Sequence, residues 1–169
     1  MKSFIKISAL FFALVTSFQV YGASYVVVSK NAKVYDEPSA KYVTLNQDNM
    51  EVSPVPGMVF KTDEHTPGWF KIEYSPGLHA YIPEQFVASD IKEPQTGSYK
   101  VANNPGETVS VKKNGSEWTA VSGGKTYKGI IDGNIIIFLN DDGYPSYSLV
   151  DLGQGGMVIS YDNAVTNFF

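Results

Sequence analysis

The chain contains no cysteine and no arginine: all 13 of its basic residues are lysines, set against 17 acids. Without cysteine there is no thiolate nucleophile, no disulfide and no lipid-modified cysteine. Without arginine there is no planar, forked donor to grip phosphate or carboxylate. A net charge of −4 also lacks the basic face of a nucleic-acid binder, so nucleic acid is excluded as a partner. Only two histidines, His65 and His79, are present, too few to build a zinc amidase site. Both are read as surface turn residues, and neither metal nor cofactor is expected. A serine hydrolase would need a serine on a rigid G-x-S-x-G elbow, which the sequence does not contain. Asp132, Asp141, Asp142 and Asp151 could pair as glycosidase carboxylates, but each lies in or beside a glycine turn, where aspartate caps backbone N–H groups. Asp141-Asp142-Gly143 lacks the spaced ligands of a calcium loop. Asn114-Gly-Ser116 has the form of a glycosylation acceptor and is better read as a hairpin turn. A non-enzymatic protein follows from these absences.

What is abundant is aromatic residues (14%), with 15 glycines and 9 prolines. That mixture suits short strands and tight turns. The N-terminus is different. Lys2 and Lys6 precede the apolar run Ile7–Val15, and small residues follow up to Gly22. This is the pattern of a signal peptide spanning 1–22, with Val20 and Gly22 at the −3 and −1 positions of the cut. Cleavage removes two lysines and no acid, taking the charge from −4 to −6. The expected product is an exported protein, periplasmic or extracellular, without a stable membrane anchor.

The polar stretch Ser89–Gly97 contains Pro94 and separates two segments of different texture. It places a domain at 23–90, a linker at 91–96 and a second domain at 97–169. In the second, seven short runs read as strands, most of them alternating apolar and polar residues: Tyr99/Val101, Val109/Val111, Trp118/Ala120, the neighbourhood of Tyr127, the wholly apolar Ile135–Leu139, Tyr147–Val150 and Met157–Tyr161. Turn signals separate them, among them Asn114-Gly115, Gly123-Gly124, Asp132-Gly133 and Asp141-Asp-Gly143. The fold class is all-β, and this half is an antiparallel up-and-down meander or small barrel. Lipocalin-like ligand carriage and a solid core are both open, and short strands favour the solid core. Ile135–Leu139 is apolar on both faces, which places it centrally or against the first domain.

In the first half, Tyr25–Val28 reads as a strand and Lys33–Ser39 as a short strand entering a proline turn. The series Ala32-Lys-Val-Tyr-Asp-Glu-Pro-Ser39, Gly68-Trp-Phe-Lys-Ile72, Pro76-Gly77 and Ala80-Tyr-Ile-Pro-Glu-Gln-Phe-Val87 resembles the bacterial SH3 family over residues 24–88. It departs from the family at Tyr35, where arginine is common, at Ala80, where glycine is common, and in a longer segment from Ala40 to Pro56. The resemblance implies an SH3-like small barrel that binds peptide or cell-wall components: peptidoglycan stem peptide, glycan or an envelope protein. The candidate ligand-binding residues are Tyr35, Glu37, Trp69, Tyr81 and Phe86, with Glu37 set to pair a ligand amine. Trp69, Ile72, Tyr81 and Ile82 can also serve as core, and Pro83 suits a 3₁₀ turn. The alternatives are an apolar-ligand carrier and an enzyme inhibitor presenting Gly143-Tyr-Pro-Ser146.

The signal-peptide pattern has a direct consequence. Intact mass of the exported protein should match a chain that begins at Ala23; a stable membrane-bound precursor would contradict it.

Overall fold

The computed structural model describes residues 24–45 and 49–161; the expected signal segment 1–22 and its cleavage point lie outside the described residues. The chain is all-β, a four-stranded antiparallel sheet followed by a closed seven-stranded barrel. Among the described residues no helix is long and apolar enough to cross a membrane.

The first sheet is ordered β1 (Ser24–Val27), β2 (Val59–Thr66), β3 (Trp69–Ser75) and β4 (Leu78–Pro83). Gly68 and Gly77 make the two hairpin turns with φ of 85° and 73°, a region that side-chain-bearing residues disfavour. Further backbone pairing reaches both edges of the sheet. On β4, Tyr35 and Tyr81 exchange backbone hydrogen bonds of 2.8 and 2.7 Å. Beside β1, Val28 bridges Val87, and the Ala88 N–H donates to the Val27 carbonyl. A 3₁₀ turn over Glu84–Phe86 follows Pro83, as expected. The strand expected over Lys33–Ser39 shrinks to the single bridging position Tyr35, because Pro38 offers no N–H and the chain turns there. Ile72 and Ile82 are fully buried, with Val28, Val34 and Phe60. Trp69 and Tyr81 are only half-buried, which corrects their expected place in the core.

The barrel comprises β5 (Gly97–Val101), β6 (Asn104–Asn114), β7 (Glu117–Ser122), β8 (Lys125–Asp132), β9 (Ile135–Leu139), β10 (Pro145–Asp151) and β11 (Gly156–Ser160). These are the seven runs of the sequence. In an up-and-down meander with an odd strand count the first and last strands point the same way, so closure must be parallel. It is: β11 meets β5 at Val158 and Val101. That seam is short, and a side chain extends it. The Asn103 amide donates to the Ser160 carbonyl at 2.7 Å and accepts from the Ser160 N–H at 2.9 Å, acting as one more rung of backbone.

Period-two alternation sends Val109, Val111, Trp118, Ala120, Ile136, Phe138, Leu149 and Val158 inward, and the interior is filled by such side chains. The opposite faces of β9, β10 and β11 turn to the first sheet. Ile135, Ile137 and Val150 pack with Val27 and Val59, while Ile159 and Tyr161 enter the sheet's own core. This is the two-faced burial expected of Ile135–Leu139. Polar groups cross the same boundary. The Tyr161 hydroxyl accepts from the Val59 N–H at 2.9 Å and donates to Ser148 Oγ at 2.9 Å, and Ser148 donates to the Gly57 carbonyl at 3.3 Å. Gly57 (φ 88°) has no room for a Cβ, which would lie 2.6 Å from the Met157 sulfur.

Residues 91–96 are anchored to the barrel. The Lys92 N–H donates to the Asp151 carbonyl at 2.8 Å, the Asn134 amide donates to the Ile91 carbonyl at 2.7 Å, and the Tyr99 hydroxyl donates to the Gln95 carbonyl at 2.6 Å. Pro94 is buried.

Candidate functional site

The bridge between Tyr35 and Tyr81 brings the Tyr35 ring to the start of β3, where it meets Trp69 edge-on with 5.6 Å between ring centroids. Edge-to-face packing sets the positive rim of one ring against the negative face of the other. Tyr35 also lines a shallow cleft of about 540 Å³, together with Asn31, Ala32, Lys33, Ser53, Pro54, Val55 and Phe86. The 3₁₀ turn delivers Phe86 to this cleft, and Lys30 stands 5.1 Å above its ring. Such cation–ring contacts hold the ammonium in place while leaving it hydrated. Lys33 pairs with Glu51 at 2.8 Å; the hydrogen bond it donates to that carboxylate raises the lysine pKa and keeps it charged.

The five expected residues therefore fall into two groups. Tyr35 and Phe86 share the cleft, and Trp69 packs edge-on against Tyr35 without lining it. Tyr81 contributes its backbone to the bridge. Glu37 lies in the exposed turn after Tyr35, where its carbonyl accepts from the Ser39 N–H, and it does not line the cleft. The charged side chain lining the cleft is Lys33, held by Glu51, with Lys30 beside Phe86, a property the spacing of Tyr35, Glu37 and Phe86 in the chain does not reveal.

His65 and His79 lie on β2 and β4 as exposed strand residues, not in turns, which corrects that expectation. Among the glycine-turn aspartates, Asp151 accepts from the Gly153 and Gly155 N–H groups. Asp132 instead accepts from the Tyr25 N–H at 2.9 Å, tying β8 to β1. In the 141–143 turn the cap is Asn140, which accepts from Asp142 and Tyr144.

A second polar constellation was hidden in the sequence. Lys100 pairs with Thr108 and Val101 with Asn104, so Pro105, Gly106 and Glu107 bulge out of β6. Proline, lacking an N–H, fits a bulge. Period two then puts Glu107 on the inward face with Val109 and Val111, at one end of the barrel. Its carboxylate accepts from Ser122 Oγ at 2.8 Å, from the Asn104 amide at 3.1 Å and from the Tyr147 hydroxyl. Tyr147 packs edge-on against Tyr127 at 5.0 Å. Burial pushes the Glu107 carboxyl up, but the three hydrogen bonds outweigh it and hold the group below its ordinary value of 4.5. Burial and then the adjacent carboxylate push the Tyr147 phenol strongly upward, so it remains a donor.

No family model, curated protein or solved structure matches the chain.

Because the folded pKa of Glu107 is depressed, its contribution is complete above the ordinary glutamate range and is lost as pH falls through that range. Glu107→Gln should cost about 1–2 kcal/mol at pH 7. Melting curves of wild type and variant should converge between about pH 5 and pH 3.

Proposed function

We propose that this chain is a non-catalytic, exported envelope protein whose first half binds an extended peptide, of the kind found in cell-wall stems, in the Tyr35–Phe86 cleft. The observation that carries the reading is the pair of half-buried aromatic rings in one cleft, flanked by Lys30 and Lys33. Rings of that kind offer flat apolar contact at little cost in side-chain entropy. Lys30 favours a ligand that presents a carboxylate, as a stem peptide does, in place of the amine for which Glu37 was expected, while Lys33 is held by Glu51. The signal-peptide pattern at 1–22 and the resemblance over 24–88 support the same reading. The barrel is the rigid partner of this module. Its interior is occupied by buried side chains from Val101 to Val158, which argues against the carrier alternative.

Binding to so shallow a cleft should be weak, because little area is desolvated. The test is a titration with stem peptides followed by backbone NMR. Shifts should centre on Ala32, Lys33 and Val55. Tyr35→Ala and Phe86→Ala should each weaken binding by about tenfold, equivalent to about 1.4 kcal/mol. Unchanged affinity in both variants would place the ligand elsewhere.

A further inference from the structure

A second groove, of about 410 Å³, opens on the first sheet beside its junction with the barrel. Its floor is Val27, Phe70, Val87, Ala88 and Ile91. Val27, Ala88 and Ile91 also belong to the core shared by sheet and barrel, so the floor is rigid.

The rim has a specific origin. Thr62 pairs with Ile72 and Glu64 with Lys71, so Asp63 is an extra residue in β2. A bulge of this kind breaks alternation and re-aims the side chains after it. Here Asp63, Glu64 and His65 all reach the groove. Glu64 is paired with Lys71 at 3.1 Å, while His65 stacks on Phe70 at 4.5 Å and lies 3.7 Å from Glu84. The groove's other wall is Tyr25, whose phenol pKa is raised by burial and then by Asp132 and Glu73. Two carboxylates line the groove, Asp63 and Glu64, and Glu84 stands beside its His65. They face one lysine, Lys71, which is paired with Glu64. The surplus is negative, on a chain of net charge −4.

An apolar floor with an acidic rim repels an anionic lipid surface, and it repels the same acidic face of a second copy. It complements a basic segment whose apolar side chains seat on the floor while its lysines or arginines meet the rim. We propose that this groove is a docking site for a basic peptide segment with apolar anchors, independent of the Tyr35–Phe86 cleft.

The experiment titrates the full chain with a 12-residue leucine/lysine peptide and with its leucine/glutamate counterpart, read by backbone NMR. The lysine peptide should shift His65, Phe70, Val87 and Ile91. Its affinity should fall at least fivefold with Asp63→Lys, and at least fivefold with Ala88→Phe, which fills the floor without changing charge. A distant double substitution, Asp141→Asn with Asp142→Asn, should leave affinity unchanged and so separates docking from general attraction between opposite charges. Should Ala88→Phe prove unfolded by its amide spectrum, the exposed Asp63→Lys still decides. Equal binding of the glutamate peptide, equal loss in the distant double variant, shifts centred on the Tyr35–Phe86 cleft, or self-association that Asp63→Lys abolishes would each overturn the proposal.

Discussion

The Tyr161 hydroxyl is buried at the meeting point of sheet and barrel, and much of the structure is arranged around keeping it satisfied. Burial pushes its pKa to about 12, so it stays a neutral donor. It holds Val59 of the sheet and Ser148 of the barrel, and Ser148 holds Gly57. An unpaired polar group at such a place would cost about 1–3 kcal/mol, so the two halves must sit in one register. The apolar contacts enforce the same register: Val27 and Val59 meet Ile135, Ile137 and Val150.

That shared core answers a problem of size. Each half lies below about 80 residues, where one hydrophobic core supplies only a few kcal/mol and small exported domains commonly rely on disulfides. This chain has no cysteine. It pools apolar surface instead, using strands β9, β10 and β11 twice, with one face in the barrel interior and the other against the sheet. The anchored segment 91–96 belongs to the same solution, since Ile91 packs into the joint core and Lys92 bridges Asp151. The functional surfaces follow from this frame. One groove opens beside the joint, and the aromatic cleft lies on the sheet where Tyr35 bridges the β4 edge.

Much of the fold was legible because it is written in local patterns. Seven runs separated by glycine turns became seven strands, and the doubly apolar Ile135–Leu139 became the strand with two buried faces. What escaped depends on contacts far apart in the chain. Glu107 reads as an ordinary surface glutamate until the Pro105 bulge turns it inward toward Tyr147, 40 residues away. Asn103 reads as a turn residue, yet it closes the barrel seam against Ser160. Trp69 looks like core because large aromatics usually are, but it lies half-buried, edge-on against Tyr35, which reaches it from across the β4 edge. At the candidate cleft, the ring pair of Tyr35 and Phe86 was visible in the chain, whereas the lysines beside it were not.

The central claim is that sheet and barrel form one cooperative unit through their common core. Each half carries one tryptophan, Trp69 in the sheet and Trp118 in the barrel. Urea unfolding followed by fluorescence in the Trp69→Phe and Trp118→Phe variants reports each half separately. The account predicts coincident transitions, both moved to lower urea by Tyr161→Phe. Two separate transitions, with only the barrel responding to Tyr161→Phe, would contradict it.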